Sequence, residues 1–304
     1  MEIIFIPEER VQALLCLEEL FPILKEALID FSAGRVMQPV RTIVPLPEHA
    51  AFFGIMPAVY GDVMGAKFVS VYPENANRGL HTHLATMLLF RTDTGELLAL
   101  MDGRVITAWR TAVVSAIATE LLASENASVL AILGSGVQAR THFEALKRVR
   151  RFVDVRVWSR NAEHAAKFAA EIGAKNMTAE EAVRGADVVV TVTNASEPVL
   201  YGTWLKEGAH VNAVGAVGLG KREIDAQAMR EATVVVDSRE AALQESGEIL
   251  HSRASIYAEI GELLAGKISN PEAGRTTIFK SLGIAVEDLA SARLVYERAC
   301  RNNE

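Results

Sequence analysis

The chain has 304 residues, of which 50% are hydrophobic and 23% charged. That is enough for two domains, and it excludes a disordered chain, a collagen-like fibre and a disulfide scaffold. Its 31 basic and 38 acidic residues leave a net charge of −7 with no basic block, which argues against a nucleic-acid partner. Cys16 and Cys300 stand far apart and outside any metal spacing, and no basic region precedes an apolar run at the N-terminus, so a reducing, cytoplasmic setting is expected. No apolar run is expected to reach the roughly 18–20 residues of a membrane helix.

Residues 8–31 carry Val11, Leu14, Leu15, Leu20, Leu24, Leu28 and Phe31 at helical spacing, with Gly34 as a stop signal, and predict a helix. Five β-like runs follow at 40–44, 52–59, 67–72, 86–90 and 97–101, and 91–95 has the composition of a hairpin turn. No long helix separates them, so they predict an antiparallel sheet. Residues 105–123 read as one helix rich in Ala, Ile, Val and Leu. From Ser128 the rhythm changes. Strands are predicted at 129–133, 153–159, 188–193, 210–214 and 233–237, with helices running to about 149 and over 161–172. Such alternation predicts a parallel sheet with helices on both faces. Residues 286–300 are helical again and are expected to return to the first domain. The predicted fold class is α/β. A Rossmann-type NAD(P)-binding domain spans 116–283, and an α+β domain with an antiparallel sheet is formed by 1–115 and 284–304.

The sharpest motif is Gly134-Ser135-Gly136-Val137-Gln138-Ala139, a G-x-G-x-x-A pattern that follows an apolar strand and opens a helix. In that context Gly134 serves the tight turn, Gly136 lets the backbone approach a pyrophosphate, and Ala139 keeps helix and strand close. The helix N-terminus offers free N–H groups to phosphates. About 20 residues on, where NAD sites carry an acid for the ribose 2′-hydroxyl, the chain has Ser159 and Arg160 instead. A guanidinium pairs with a 2′-phosphate and a carboxylate would repel it, so NADPH is favoured and NADH is the weaker alternative. Asn161 and His164 follow at the same helix start and are candidates to extend the 2′-phosphate pocket. His81 and His83 form an H-x-H pair, but no further ligand stands at metal spacing, so no metal is expected.

Further motifs run in order over almost the whole chain: V-M-Q-P-V-R-T from Val36 to Thr42, Gly65-Ala66-Lys67, Met101-Asp102-Gly103, I-T-A-W-R-T-A from Ile106 to Ala112, and the glycine fingerprint. After it come Val190-Thr191-Val192-Thr193, Val214-Gly215-Ala216, Asp237-Ser238 and T-I-F-K-S-L-G from Thr277 to Gly283. Together they resemble the ornithine cyclodeaminase/mu-crystallin family, and within it the ketimine reductases. The resemblance implies a substrate and dimerisation domain completed by the C-terminal helix, and a homodimer joined through the sheet domains. It implies that Arg41, Lys67 and Arg110 hold the carboxylate of an imino or amino acid substrate, with Lys67 as the catalytic candidate. It places Thr82, His83, Arg110, Thr111 and Ser281 near the cofactor, Ser135, Val137 and Gln138 at its phosphates, and Thr193, Asn194 and Val214 along its inner face.

These roles are chemically reasonable. Every α-imino acid presents a carboxylate, and a fixed guanidinium fork orients one. Lys67 lies in an apolar run, where an unpaired ammonium is costly. The plain alternatives are a strand lysine that reaches solvent and, for Arg110, an interdomain salt bridge. Family cyclodeaminases carry a catalytic Asp at the position that matches Val217, so deamination is disfavoured. The expected activity is NADPH-dependent reduction of cyclic ketimine carboxylates to cyclic L-amino acids. The alternatives are an amino-acid dehydrogenase or reductive aminase of a 2-oxo acid, and an NADPH-dependent binder of thyroid hormone of the crystallin type.

Overall fold

The structure is a computed structural model that describes residues 3–301. The chain forms two compact units, Met1–Arg110 with Gly283–Glu304, and Thr111–Leu282. The first break falls inside the helix Arg104–Leu122, earlier than the 115/116 expected.

The first unit is built on a six-stranded sheet. Its strands are β1 (Ile4–Ile6), β2 (Thr42–Leu46), β3 (Ala51–Tyr60), β4 (Val63–Val71), β5 (His83–Arg91) and β6 (Leu97–Asp102), in the order β1-β6-β5-β4-β3-β2. Strands β2 to β6 pair antiparallel with their neighbours, as expected. The missed strand β1 pairs parallel with β6, so the sheet is mixed. The predicted helix over 8–31 is two helices, Glu8–Leu14 and Leu17–Ser32, because Leu15 and Cys16 are extended.

Alternation along the strands sends Met56, Ala58, Val63, Val69, Met87 and Leu89 to one face, where they form the core. The helix Ala285–Arg301 covers that face. Its Ala285, Leu289, Ala292, Val295 and Ala299 recur at helical spacing and pack into the same core. Acids in its first turn and arginines in its last suit the helix dipole. The C-terminal helix therefore belongs to the first unit.

The second unit holds an eight-stranded, all-parallel sheet. Its strands are β7 (Val129–Leu133), β8 (Asp154–Trp158), β9 (Lys175–Asn176), β10 (Val188–Thr191), β11 (His210–Ala213), β12 (Thr233–Val236), β13 (Ile256–Glu259) and β14 (Thr277–Lys280), in the order β13-β12-β14-β11-β10-β7-β8-β9. The order reverses after β7, where doubly wound sheets bind nucleotides. Strands β9, β13 and β14 were not expected. The last sits centrally between β11 and β12 and is fully buried, yet it carries Thr277 and Lys280, which hide it from a hydrophobicity pattern.

The helix Arg104–Leu122 is long and apolar enough to cross a membrane by length and composition, against the expectation that no stretch would be. Within the protein it is mostly buried, and its Arg110 is ion-paired.

Candidate active site

In the first unit, Lys67 faces inward from the middle of β4, flanked by Met56 on β3 and Met87 on β5, and is only 2% exposed. It does not reach solvent. Its Nζ donates to Asp288 Oδ2 at 2.6 Å. Arg110, on the helix Arg104–Leu122, donates from Nε to Asp288 Oδ1 at 2.8 Å and from Nη1 to Glu287 Oε2 at 2.6 Å. Both acids are fully buried in the first turn of the helix Ala285–Arg301. Arg110 thus pairs within its own unit, which corrects the reading of it as an interdomain salt bridge.

Arg41, just ahead of β2, donates from Nη2 to the Gly283 carbonyl at 2.8 Å. Gly283 has φ +74°, and a Cβ there would meet the Arg110 guanidinium at 2.4 Å, so only glycine lets the chain pass this close. The Gln38 side chain accepts from the Val286 N–H at 2.8 Å and caps the helix that carries the acids.

Electrostatics follow from this crowding. Burial lowers the Lys67 pKa to about 8, with Asp288 opposing the fall and Arg110 and Arg41 adding to it. Burial alone would raise the Asp288 carboxyl, but the charges of Arg110 and Lys67 outweigh it and hold Asp288 below the usual range. His83, at the start of β5, is pushed down to about 4 by burial and then by the charges of Lys67 and Arg110, so it is neutral at pH 7. Lys67 and Arg110 are therefore paired with two acids, the charge of Arg41 reaches Lys67, and the charges of Lys67 and Arg110 reach His83. Thr82 is exposed beside them in sequence, and Thr111 is buried at the first position of the second unit. His81 is exposed, ahead of β5 and next to Arg104, with which it makes a 3.5 Å contact.

In the second unit the glycine fingerprint occupies the turn after β7. Gly134 has φ +137°, and its N–H donates to the Trp158 carbonyl at 2.7 Å, which ties β7 to β8. Gly136 is the N-cap of the helix Val137–Leu146 without a capping side chain, and a Cβ there would meet only open space. Gln138 Oε1 is buried and has no hydrogen-bond partner among the described residues. Ala139 is fully buried, as the fingerprint requires. Ser135 Oγ donates to Ser159 Oγ at 3.0 Å. Arg160 is exposed, and no acid stands at the end of β8. An uncapped helix N-terminus beside an open position and an unanswered acceptor fit a pyrophosphate and its ribose. Asn161 instead caps the helix Ala162–Ile172, accepting from the His164 N–H at 2.9 Å, and the His164 side chain is exposed.

The loops after β10 and β11 are held by a buried acid. Glu223 accepts from the Thr191 hydroxyl (2.9 Å) and from the N–H groups of Thr193 (2.5 Å), Gly215 (2.7 Å) and Ala216 (3.1 Å). Burial raises its pKa and Lys280 opposes the rise. Lys280 donates to the Ala216 carbonyl at 2.6 Å and pairs with Glu248 at 3.4 Å. Thr193 and Asn194 lie in the loop that Glu223 fastens, and Val214 is buried just after β11. Ser281 is buried with its hydroxyl 3.4 Å from Asp237 Oδ2. Val217 is an exposed apolar side chain on the Gly215 loop.

Glu287, Asp288 and the clamp role of Glu223 were not foreseen. Two adjacent acids in the first turn of a helix otherwise rich in Ala, Leu and Val were the available signal for the first pair.

The fold and this site define an oxidoreductase that uses a nicotinamide cofactor. The sequence profile of the ornithine cyclodeaminase/mu-crystallin family matches residues 1–303, and the chain belongs to that family. It is 49% identical over 286 residues to the ketimine reductase mu-crystallin of Mus musculus, with 91% of each chain covered. The structure of Thermococcus litoralis Δ1-pyrroline-2-carboxylate reductase in complex with NADH and L-proline matches with a TM-score of 0.95 and 36% identity, covering 99% of this chain and 98% of that one. An archaeal alanine dehydrogenase dimer with bound NAD matches with a TM-score of 0.94 and 34% identity, covering 100% and 98%.

Proposed function

We propose that the protein is an NADPH-dependent reductase of cyclic ketimine carboxylates of the Δ1-pyrroline-2-carboxylate and Δ1-piperideine-2-carboxylate type, yielding cyclic L-amino acids. The observation that carries the reading is the buried pairing of Lys67 and Arg110 with Asp288 and Glu287, with the half-buried Arg41 on the Gly283 carbonyl beside them. Three cations against two carboxylates leave one formal positive charge, which matches one substrate carboxylate. The solved relative that holds NADH and L-proline, a cyclic amino acid, supports the substrate class.

When bound, the nicotinamide cofactor supplies the hydride that reduces the C=N carbon. Gly134, Gly136 and the N-terminus of the helix Val137–Leu146 hold its pyrophosphate, and Arg160 and Ser159 meet the 2′-phosphate. Arg41 and Arg110 orient the substrate carboxylate. Lys67, cationic at pH 7 with a pKa of about 8, holds the proton that the reduced nitrogen takes up. Val217 moves no proton, in keeping with a preformed imine that needs no deamination.

We also infer a homodimer joined through the outer face of the first sheet. That face carries Val44, Phe53, Ile55, Phe68 and Leu84, with Phe53 and Phe68 stacked at 6.1 Å, and Val44 and Leu84 more than 40% exposed. A Phe68→Asp, Leu84→Asp variant is expected to run as a monomer in light scattering, whereas an unchanged mass would remove the inference.

The enzymatic reading is tested by following NADPH oxidation with each ketimine. The likeness to an alanine dehydrogenase favours a second reading, reductive amination of pyruvate, which ammonia-dependent turnover would reveal.

A further inference from the structure

We propose that Asp288 is a positioning residue of the reaction, the shared anion that holds Lys67 and Arg110 in one array and sets the charge state of Lys67. The inference rests on the ketimine-reductase reading above. Asp288 divides its two oxygens between cations from different elements, Oδ2 to Lys67 on β4 and Oδ1 to Arg110 on the helix Arg104–Leu122. A residue with only a packing role has no need to do this with a fully buried carboxylate, because taking the three charges from water is costly and well-packed apolar side chains serve stability as well.

Its backbone is fixed independently of the pair. The first turn of the helix Ala285–Arg301 is capped by Gln38, and Leu289 next to Asp288 is locked in the core. The carboxylate therefore has few other places to go, and Nζ must come to it.

The groups that bear on Lys67 can be named from each element around it. The helix Ala285–Arg301 gives Asp288 and Glu287, the helix Arg104–Leu122 gives Arg110, the segment ahead of β2 gives Arg41, and β5 gives the neutral His83. β3 offers only Met56 opposite Lys67. Asp288 is the member of this set that favours the ammonium by direct contact. Arg110 and Arg41 oppose it, and so does burial. Without Asp288 the lysine would face two guanidiniums unaided and release its proton more readily. The same substitution would free the Arg110 Nε and let the guanidinium turn. Asp288 would thus act on the proton through Lys67 and on the carboxylate through Arg110, without itself touching substrate.

The test compares wild type, Asp288→Asn and Asp288→Glu. The pH profile of kcat/KM for Δ1-piperideine-2-carboxylate is measured with NADPH, and the pH dependence of L-proline affinity by calorimetry. Ketimine turnover by the wild type tests the parent reading, so its absence is a separate failure from anything the variants do. In Asp288→Asn the alkaline limb is expected to move down by about one pH unit or more, with proline affinity falling over the same range. A kcat/KM lowered equally at every pH, with the limb unmoved, would reduce Asp288 to a structural role and overturn the proposal.

If Asp288→Asn does not fold, Asp288→Glu decides. It keeps the anion but displaces it by one methylene. It should keep the limb within about half a pH unit and lose kcat by roughly tenfold or more. Wild-type kcat in that variant would contradict the positioning role. Lys67→Arg supplies the control, because its charge does not titrate near pH 8 and its profile should lose the limb.

Discussion

The two units prepare for their ligands by different physics. The candidate site in the first is made of side-chain charges: Arg41, Lys67 and Arg110 are set against Glu287 and Asp288, most of them buried and each depending on the others. The candidate site in the second is mostly backbone: two glycines, an uncapped helix N-terminus, and loops tied by Glu223. Its named side chains, Arg160, Asn161 and His164, are exposed. Substitutions in the first unit should therefore disturb a coupled network, whereas side-chain changes at the rim of the second should act singly and weakly.

The sharpest way to break this contrast is Arg110→Ala. It leaves Glu287 and Asp288 buried without their guanidinium, and an uncompensated buried charge costs about 3–5 kcal/mol. Denaturant unfolding should show a loss of that order, and a change under about 1 kcal/mol would mean that the array is not coupled.

Lys67→Met should keep NADPH affinity, since no cofactor contact is assigned to Lys67, and lower kcat/KM by roughly 10²–10⁴. Unchanged kcat/KM would remove Lys67 from the chemistry.

In the wild type, kcat/KM should fall above pH 8 as Lys67 loses its proton. Stability moves the other way for this group. Its folded pKa of about 8 lies below the ordinary 10.5, so between those values the unfolded chain binds more protons. Its contribution is least favourable below pH 8 and rises towards 10.5. A flat kcat/KM from pH 7 to about 9.5 would contradict the assignment.

At the rim of the second unit, Arg160→Ala should weaken NADPH by about 10- to 100-fold and leave NADH nearly unchanged, the scale of one charged hydrogen-bonding group. Equal loss for both cofactors would remove the 2′-phosphate role. Smallest of all, Asn161→Ala should cost about 1 kcal/mol of stability as a lost helix cap, with cofactor affinity changed less than about threefold.

The same contrast explains what the sequence made legible. Backbone sites leave local signatures, because a turn at φ +137° and a close helix–strand contact dictate Gly134 and Ala139 within a few positions. Strand–helix alternation likewise exposed most of the parallel sheet. Charge networks leave no such mark. Lys67 and Asp288 are far apart in the chain and meet only after the C-terminal helix folds back on β4, so either one alone reads as costly or as exposed. Strand β14 stayed hidden for a related reason. Its Lys280 is buried by pairing with Glu248 and the Ala216 carbonyl, which no local pattern reveals. Asn161 shows the converse, where a residue beside the nucleotide fingerprint spends its side chain on a helix cap.

The central claim is that the buried array of the first unit serves hydride reduction of a cyclic imine carboxylate. It is tested most directly by mixing the purified protein with NADPH and Δ1-pyrroline-2-carboxylate or Δ1-piperideine-2-carboxylate and following cofactor oxidation, with Lys67→Met alongside. The account predicts turnover to the cyclic L-amino acid by the wild type and a loss of roughly 10²–10⁴ in the variant. NADPH binding without oxidation on either ketimine would contradict it.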